Sequence, residues 1–248
     1  MGRRHHLEAT YRKNLARAES HPAVEFILLD YHSPDGLGEW VRRELAEWME
    51  RGVVRYFRTE EPRRFHTAHA KNVAHRLATG DILVNLDADN FFADGYCEEL
   101  VEVFRDGRRV LLEFADYHPG CMGRIALRRE DFAALGGYNE SFTGWGYEDA
   151  DLKHRAEAWG LARLPGDPRH AGAIQHRNWE RTRFTAVKRI YRNNRRNHLR
   201  SLADIAEGRL VANAGKEWGR VKLLEMTPAG TGFEKDGASQ VLPSDAPS

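Results

Sequence analysis

The apolar run Ile82-Leu83-Val84-Asn85-Leu86, which passes straight into Asp87-Ala88-Asp89, restricts the fold more than any other stretch of this chain. The run is too short for a helix and Gly80 breaks what precedes it, so it reads as a buried strand ending on two carboxylates. The stretch before it alternates in period. Residues 7–18 have helical spacing, and 24–30 form a short apolar strand that ends at Asp30. Ser33-Pro34-Asp35-Gly36 has turn chemistry. An amphipathic helix over 37–51, a strand over 53–57 and a helix over 68–78 follow. Strands alternating with helices predict an α/β fold with a mostly parallel, Rossmann-like sheet and right-handed crossovers.

After Asp94 the rhythm changes. A helix is expected over 95–105, a strand over 110–114, and a glycine-rich, site-building loop region over 120–146. Residues 149–159 have helical spacing, with Leu152, Ala156 and Trp159 on one face, and stop at Gly160. A strand is expected over 171–175 and a long basic helix over 181–207. With 248 residues the chain suffices for one large domain, placed at 1–226, with a nucleotide-binding half over 1–94 and an acceptor and catalytic half over 95–226. Residues 227–248, rich in Gly, Pro and Ser, are expected to form a flexible tail.

Lys plus Arg total 38 against 37 for Asp plus Glu, so bulk charge gives no reason to expect a nucleic-acid partner. The basic stretch 177–200 interleaves its arginines with Phe184, Val187, Ile190 and Tyr191, which reads as a solvated helix face or a diphosphate contact. Two cysteines, Cys97 and Cys121, make no disulfide framework and are expected as free thiols. No stretch approaches the roughly 20 apolar residues of a membrane span, so a cytoplasmic location is expected, with peripheral membrane contact left open. Oligomeric state is not legible.

Three constellations carry chemistry. Asp87 and Asp89 leave the C-terminal end of a strand, where open α/β sheets bind ligands, and two carboxylates on one turn can hold a divalent cation that meets a diphosphate. The competing reading is a solvated turn or a helix cap. Gly144-Trp145-Gly146-Tyr147-Glu148-Asp149-Ala150-Asp151 packs three acids behind an aromatic ring and two glycines. Acids at a helix N-terminus also complement the macrodipole, but Trp145 between glycines suits stacking on a sugar, and a carboxylate beside it suits proton removal from a hydroxyl. His176 follows an apolar run; structural in most such settings, it could complete a metal site, where mixed carboxylate and imidazole ligation suits Mn2+ as well as Mg2+, or contact the diphosphate.

Residues 65–78, with Ala70-Lys71-Asn72-Val73-Ala74, then Leu86-Asp87-Ala88-Asp89, then Gly144-Trp145-Gly146-Tyr147-Glu148-Asp149, resemble the GT-A glycosyltransferases in order and spacing. Within them the chain is similar to the β-1,4-galactosyltransferase and chondroitin-polymerase side and to related bacterial family 2 enzymes, over roughly residues 3–190. The resemblance implies the nucleotide-diphospho-sugar transferase fold and a metal-dependent inverting transfer, with a UDP-type sugar as donor and a glycan or other hydroxyl as acceptor. It implies Asp89 and His176 at the metal and Asp87 either as a nucleotide contact or as a carboxylate supporting the metal ligands. Asp149 becomes the base, Glu148 orients the acceptor, and Trp145 and Gly146 bind it. Asp30 would face the nucleotide base and Lys71 would lie near the nucleotide. Position 150 is Ala where the family usually has a third acid, which puts a supporting role there in doubt. The family opens with an apolar strand, and Met1 to His6 begin where that strand is expected to have finished, so the sheet is expected to lack it. A retaining transferase on this fold and a sugar-nucleotide-binding domain without turnover are the alternatives.

Overall fold

Burial recurs at Leu7, Tyr11, Asn14, Leu15 and Ala18, the three-and-four spacing that makes α1 (Arg4–Ala18) a helix with one inward stripe. In the computed structural model, which describes residues 1–21, 23–114, 119–187, 189–230 and 232–236, that stripe lies in the largest core cluster beside Phe26 and Leu28, and beside Phe92, Tyr96 and Phe114 from later in the chain. Next come β1 (Phe26–Tyr31), α2 (Leu37–Glu44), α3 (Ala46–Glu50), β2 (Val54–Thr59), α4 (Thr67–Leu77) and β3 (Ile82–Val84). The helix expected over 37–51 divides because Leu45 leaves helical geometry, at φ −120° and ψ 6°, with its side chain fully buried.

The second half runs through α5 (Tyr96–Phe104), β4 (Val110–Glu113), β5 (Ile125–Arg128), α6 (Arg129–Ala134), α7 (Glu148–Ala158) and β6 (Ala162–Pro165). It ends with α8 (Asn178–Thr182), α9 (Ile190–Ala206), β7 (Lys222–Met226) and β8 (Gly232–Asp236). Residues 120–146 are therefore not loop throughout, since β5 and α6 lie inside them. Residues 171–175 form no named strand; only Ala173 makes an isolated bridge, to Asn90. The basic helix over 181–207 is two helices with a break between. The segment expected to be a tail from 227 contains β8, which pairs antiparallel with β7 from Met226 opposite Gly232 to Lys222 opposite Asp236. Its remainder, 237–248, lies outside the described residues.

The strands make two four-stranded sheets, in the orders β1-β2-β7-β8 and β3-β5-β4-β6. β1 runs parallel to β2, with Phe26 opposite Val54, and β6 runs parallel to β4, with Val110 opposite Ala162. The other pairings are antiparallel, so the α/β class holds while the pairing is mixed and not mostly parallel. β5 lies between β3 and β4, antiparallel to both, with Ile125, Ala126 and Leu127 all buried as befits a central strand. A second core cluster, built on Leu111, Ile125, Leu127, Phe132 and Leu152, joins the second sheet to α6 and α7. Among the described residues β1 and β3 each end their sheet, and a cavity of about 720 Å3 lies between them, walled by Ile27 to Leu29 on one side and Asn85 to Asp89 on the other. Cys97 and Cys121 are buried free thiols. Among the described residues no helix is long and apolar enough to cross a membrane.

Candidate active site

The loop leaving β3 is fixed by side chains reaching across from α1. Thr10 Oγ1 donates to the Ala88 carbonyl at 2.8 Å, and Asn14 both donates to the Asn90 carbonyl at 3.0 Å and accepts from the Phe92 amide at 2.6 Å. Asn85 donates to Asp87 Oδ1 at 3.1 Å and to the Gly123 carbonyl at 2.8 Å. Buried polar groups that find partners hold their loop rigidly, because leaving any one unpaired costs about 1–3 kcal/mol. Asp87 and Asp89 are thereby presented to the cavity.

His176 reaches the same place by a local device. The Phe91 amide donates to the Gly172 carbonyl and the Ile174 amide to the Asp89 carbonyl, at 2.9 and 2.8 Å. Arg124, buried, clamps this pairing by donating to the carbonyls of His170, Phe91 and Gly172. His176 Nε2 then lies 2.5 Å from Asp89 Oδ2, with the two side chains 7% and 13% exposed. Burial, reinforced by the charge on Asp87, raises the Asp89 pKa, while His176 and Arg3 act against the rise. His176 Nδ1 is buried with no hydrogen-bond partner. A carboxylate and an imidazole already in contact are two donors that suit Mn2+ or Mg2+, although the three-ligand cluster found among the described residues is His5, His6 and Glu180. The residues present fit such an ion.

On the opposite wall α7 begins at Glu148. Asp149 Oδ1 sits 2.5 Å from Lys71 Nζ, and Glu148 Oε1 is 3.6 Å from the same ammonium. Burial alone would lower the Lys71 pKa, but Asp149, Asp87 and Glu148 more than reverse this and hold it well above the ordinary value. Glu148 is pushed up to about 7, first by burial and then by Asp149, with Lys71 opposing. Its Oε2 accepts from the Gly146 amide at 3.1 Å, so Glu148 shapes the loop that carries Trp145. Trp145, which lines the cavity, has the guanidinium of Arg181 over its ring at 5.1 Å. Gly146 has φ 108°, a conformation that disfavours any side chain.

Gly123 ties the walls together. A Cβ built there would lie 2.9 Å from Asp87 Oδ2 and 3.0 Å from Asp149 Oδ2, so the absence of a side chain lets carboxylates 62 positions apart share one space. The cavity is lined by Lys71, Asp87, Asp89, Trp145, Gly146, Glu148, Asp149 and His176, all expected from the sequence. Asp30 is not brought to it. That carboxylate is 1% exposed and accepts from the Tyr56 hydroxyl and the Ser33 amide, both at 2.8 Å, so it secures the turn after β1. Sequence reasoning missed Gly123 and Arg181 as site residues, and it missed the α1 polar stripe. It also missed Asn193 and Asn197, which donate to the carbonyls of Trp145 and Gly146 at 2.9 Å each. Paired asparagines on the inward side of a predicted helix were the available signal.

An α/β fold whose strand-end aspartates face a W-G-x-E-D loop across one cavity defines a glycosyltransferase class of site. A family model described as glycosyl transferase family 2 matches residues 3–157, and the chain belongs to that family. The succinoglycan biosynthesis protein ExoA of Rhizobium meliloti (strain 1021) is 27% identical over 163 residues, 52% of this chain and 47% of that protein. The chain thus spans about half the length of the curated relative it matches. GalNAc-T7, solved with UDP, GalNAc and Mn2+, shares the fold at 18% identity and a TM-score of 0.52, over 64% of this chain and 38% of that one. The catalytic domain of Drosophila β1,4-galactosyltransferase 7, in complex with xylobiose, aligns at 20% identity and a TM-score of 0.46 over 66% and 76% of the two chains.

Proposed function

We propose that this chain is a metal-dependent inverting glycosyltransferase that moves a sugar from a nucleoside diphosphate sugar, UDP-linked in the first instance, to a hydroxyl acceptor. The observation that carries the reading is the convergence of Asp87, Asp89 and His176 on one wall and Lys71, Glu148 and Asp149 on the other around a single cavity. Asp89 and His176 would hold Mn2+ or Mg2+, and such an ion would supply positive charge against the departing diphosphate. Asp87 contacts the nucleotide. Trp145 offers its face to the acceptor ring, and Glu148 keeps the Trp145 loop in place through the Gly146 amide.

Asp149 takes the proton of the acceptor hydroxyl as that oxygen forms its bond to the anomeric carbon. The bond from that carbon to the diphosphate oxygen breaks, and its electron pair leaves with the nucleoside diphosphate. Attack from the face opposite the leaving group inverts the anomeric centre. Lys71, held charged by its three carboxylate neighbours, lies 2.5 Å from Asp149 and fixes the position of that carboxylate. The same contact favours a second reading, a sugar-nucleotide-binding domain without turnover, because an ammonium 2.5 Å from the base also competes for it. Calorimetry of UDP binding with Mn2+ and with chelator, followed by product analysis with a nucleotide sugar, separates the two. Metal-dependent binding with an inverted product supports transfer; equal binding with and without metal removes the ion from the mechanism, and a retained anomeric configuration removes inversion.

A further inference from the structure

α9 packs the reverse way round for a surface helix. Its inward face is polar, with Asn193, Asn197 and Ser201 buried. Its outward face carries Tyr191 at 83% exposure, Leu199 at 56% and Leu202 at 48%. Positions 191, 195, 199 and 202 succeed one another at steps of four, four and three, so these apolar side chains and Arg195 share one ridge. Four arginines stand on the helix against one acid, Asp204. Arg196 is engaged with Thr143 and Asn193, and Arg200 approaches Asp204 at 3.9 Å. Arg192 and Arg195 are exposed and have no acidic partner among the described residues.

Exposed leucines normally turn inward, and here the inward positions are taken by the asparagines that hold the Trp145 loop. The outward ridge therefore awaits a surface that accepts apolar side chains and is negatively charged. A bilayer containing anionic lipid offers both, apolar depth for Leu199 and Leu202 and negative headgroups for Arg192 and Arg195. A second copy of the chain would bring the same arginines face to face, where like charges repel. A nucleic acid would satisfy the arginines and leave the leucines in water.

We propose that α9 docks this protein on an anionic membrane surface, with Tyr191, Leu199 and Leu202 entering the headgroup layer and Arg192 and Arg195 contacting its negative charge. Docking places the Trp145 loop, held by the opposite face of the same helix, close to the bilayer. An acceptor anchored in that bilayer then meets the cavity without leaving the surface, a consequence that rests on the function proposed above; the docking itself does not.

Flotation of the full chain with phosphatidylcholine vesicles, with and without phosphatidylglycerol, tests the docking independently of any transfer activity. The chain is expected to float with the anionic vesicles, to float less as salt is raised, and to remain behind with phosphatidylcholine alone. Arg192→Glu with Arg195→Glu should weaken partitioning by about thirtyfold or more, given roughly fivefold for each basic residue near such a surface. Leu199→Gln with Leu202→Gln should weaken it by about tenfold at unchanged charge. Because all four side chains are exposed, thermal melting of both variants should match the parent. Equal flotation on neutral and anionic vesicles, or no flotation on either, overturns the proposal. Self-association that the leucine variant abolishes assigns the ridge to a second copy and also overturns it, as does salt-sensitive binding of single-stranded RNA in place of vesicles.

Discussion

The two walls of the cavity are built by opposite means. The wall carrying Asp87 and Asp89 is stapled from behind by buried side chains of α1, Asn85 and Arg124, whose hydrogen bonds run to backbone on both sides of the loop. The wall carrying Trp145 and Gly146 is glycine-rich, with φ 86° at Gly144 and 108° at Gly146, and is hung from α9 by two asparagine side chains. A rigid wall suits fixed charges that must meet a diphosphate at one geometry. The wall hung on α9 carries Trp145, the residue proposed above to bind the acceptor. Substitutions on the first wall should therefore change donor binding, and substitutions on the second should change acceptor use.

The largest effect should come from Asp149→Asn. It keeps shape and removes the proton acceptor, so transfer should fall about 10²- to 10⁴-fold with donor affinity nearly unchanged. Steady-state kinetics beside calorimetry checks this, and equal loss of both would merge the two walls into one unit. Next, Asp89→Ala should lower UDP affinity in Mn2+ by about a hundredfold or more and leave the affinity in chelator unchanged, since a divalent ion deprived of its anionic ligand is held weakly.

His75 probes the helix α4 that carries Lys71. Buried and stacked on Phe132 at 4.8 Å, His75 donates through Nδ1 to the Lys71 carbonyl, and its Nε2 has no partner. Burial depresses its pKa from 6.5 to about 4. The unfolded chain takes up a proton near pH 6.5 and the folded chain only near 4, so this contribution to stability is full above pH 6.5 and is lost as pH falls toward 4. Urea titrations across that range should show the decline, and His75→Phe should reduce it, the remainder coming from His6, which burial likewise lowers to about 4. The smallest pair is Asn14→Ala against Asn197→Ala. Each orphans buried backbone groups and should destabilise by about 1–3 kcal/mol. The first should raise the donor Kd and the second the acceptor KM; if both variants raised the same constant, the division of labour between the walls would be wrong.

Much of the candidate site was legible because its signals are local. Asp87 and Asp89 follow an apolar strand, and Glu148 and Asp149 start a helix behind glycines, each readable within a dozen residues. What was not legible depends on partners far along the chain. Asp30 ends a strand just as Asp87 follows one, yet Tyr56 from β2 and the Ser33 amide take both of its oxygens. Lys71 was expected at a nucleotide, and nothing near it in sequence reveals that Asp149 lies 2.5 Å away. β6 was overlooked because Ala-Arg-Leu-Pro has little strand character; it occupies a sheet edge, the place where proline is tolerated. The fold class followed from alternation of periods, whereas the antiparallel β5 and the division into two sheets followed from tertiary pairing that short runs do not encode.

The staples behind the cavity also have a kinetic meaning. The Thr10 to Ala88 bond closes a loop of 78 positions, and the Asn197 to Gly146 bond closes one of 51. Contacts so distant in sequence form only after the chain has lost most of its entropy, so they belong to the slow, late part of folding. The strand β3 and the helix α7 can form before either wall is braced. A refolding chain should therefore regain its secondary structure first and the UDP affinity proposed for it afterwards, and the interval between the two measures how long the protein exists as a fold without a site.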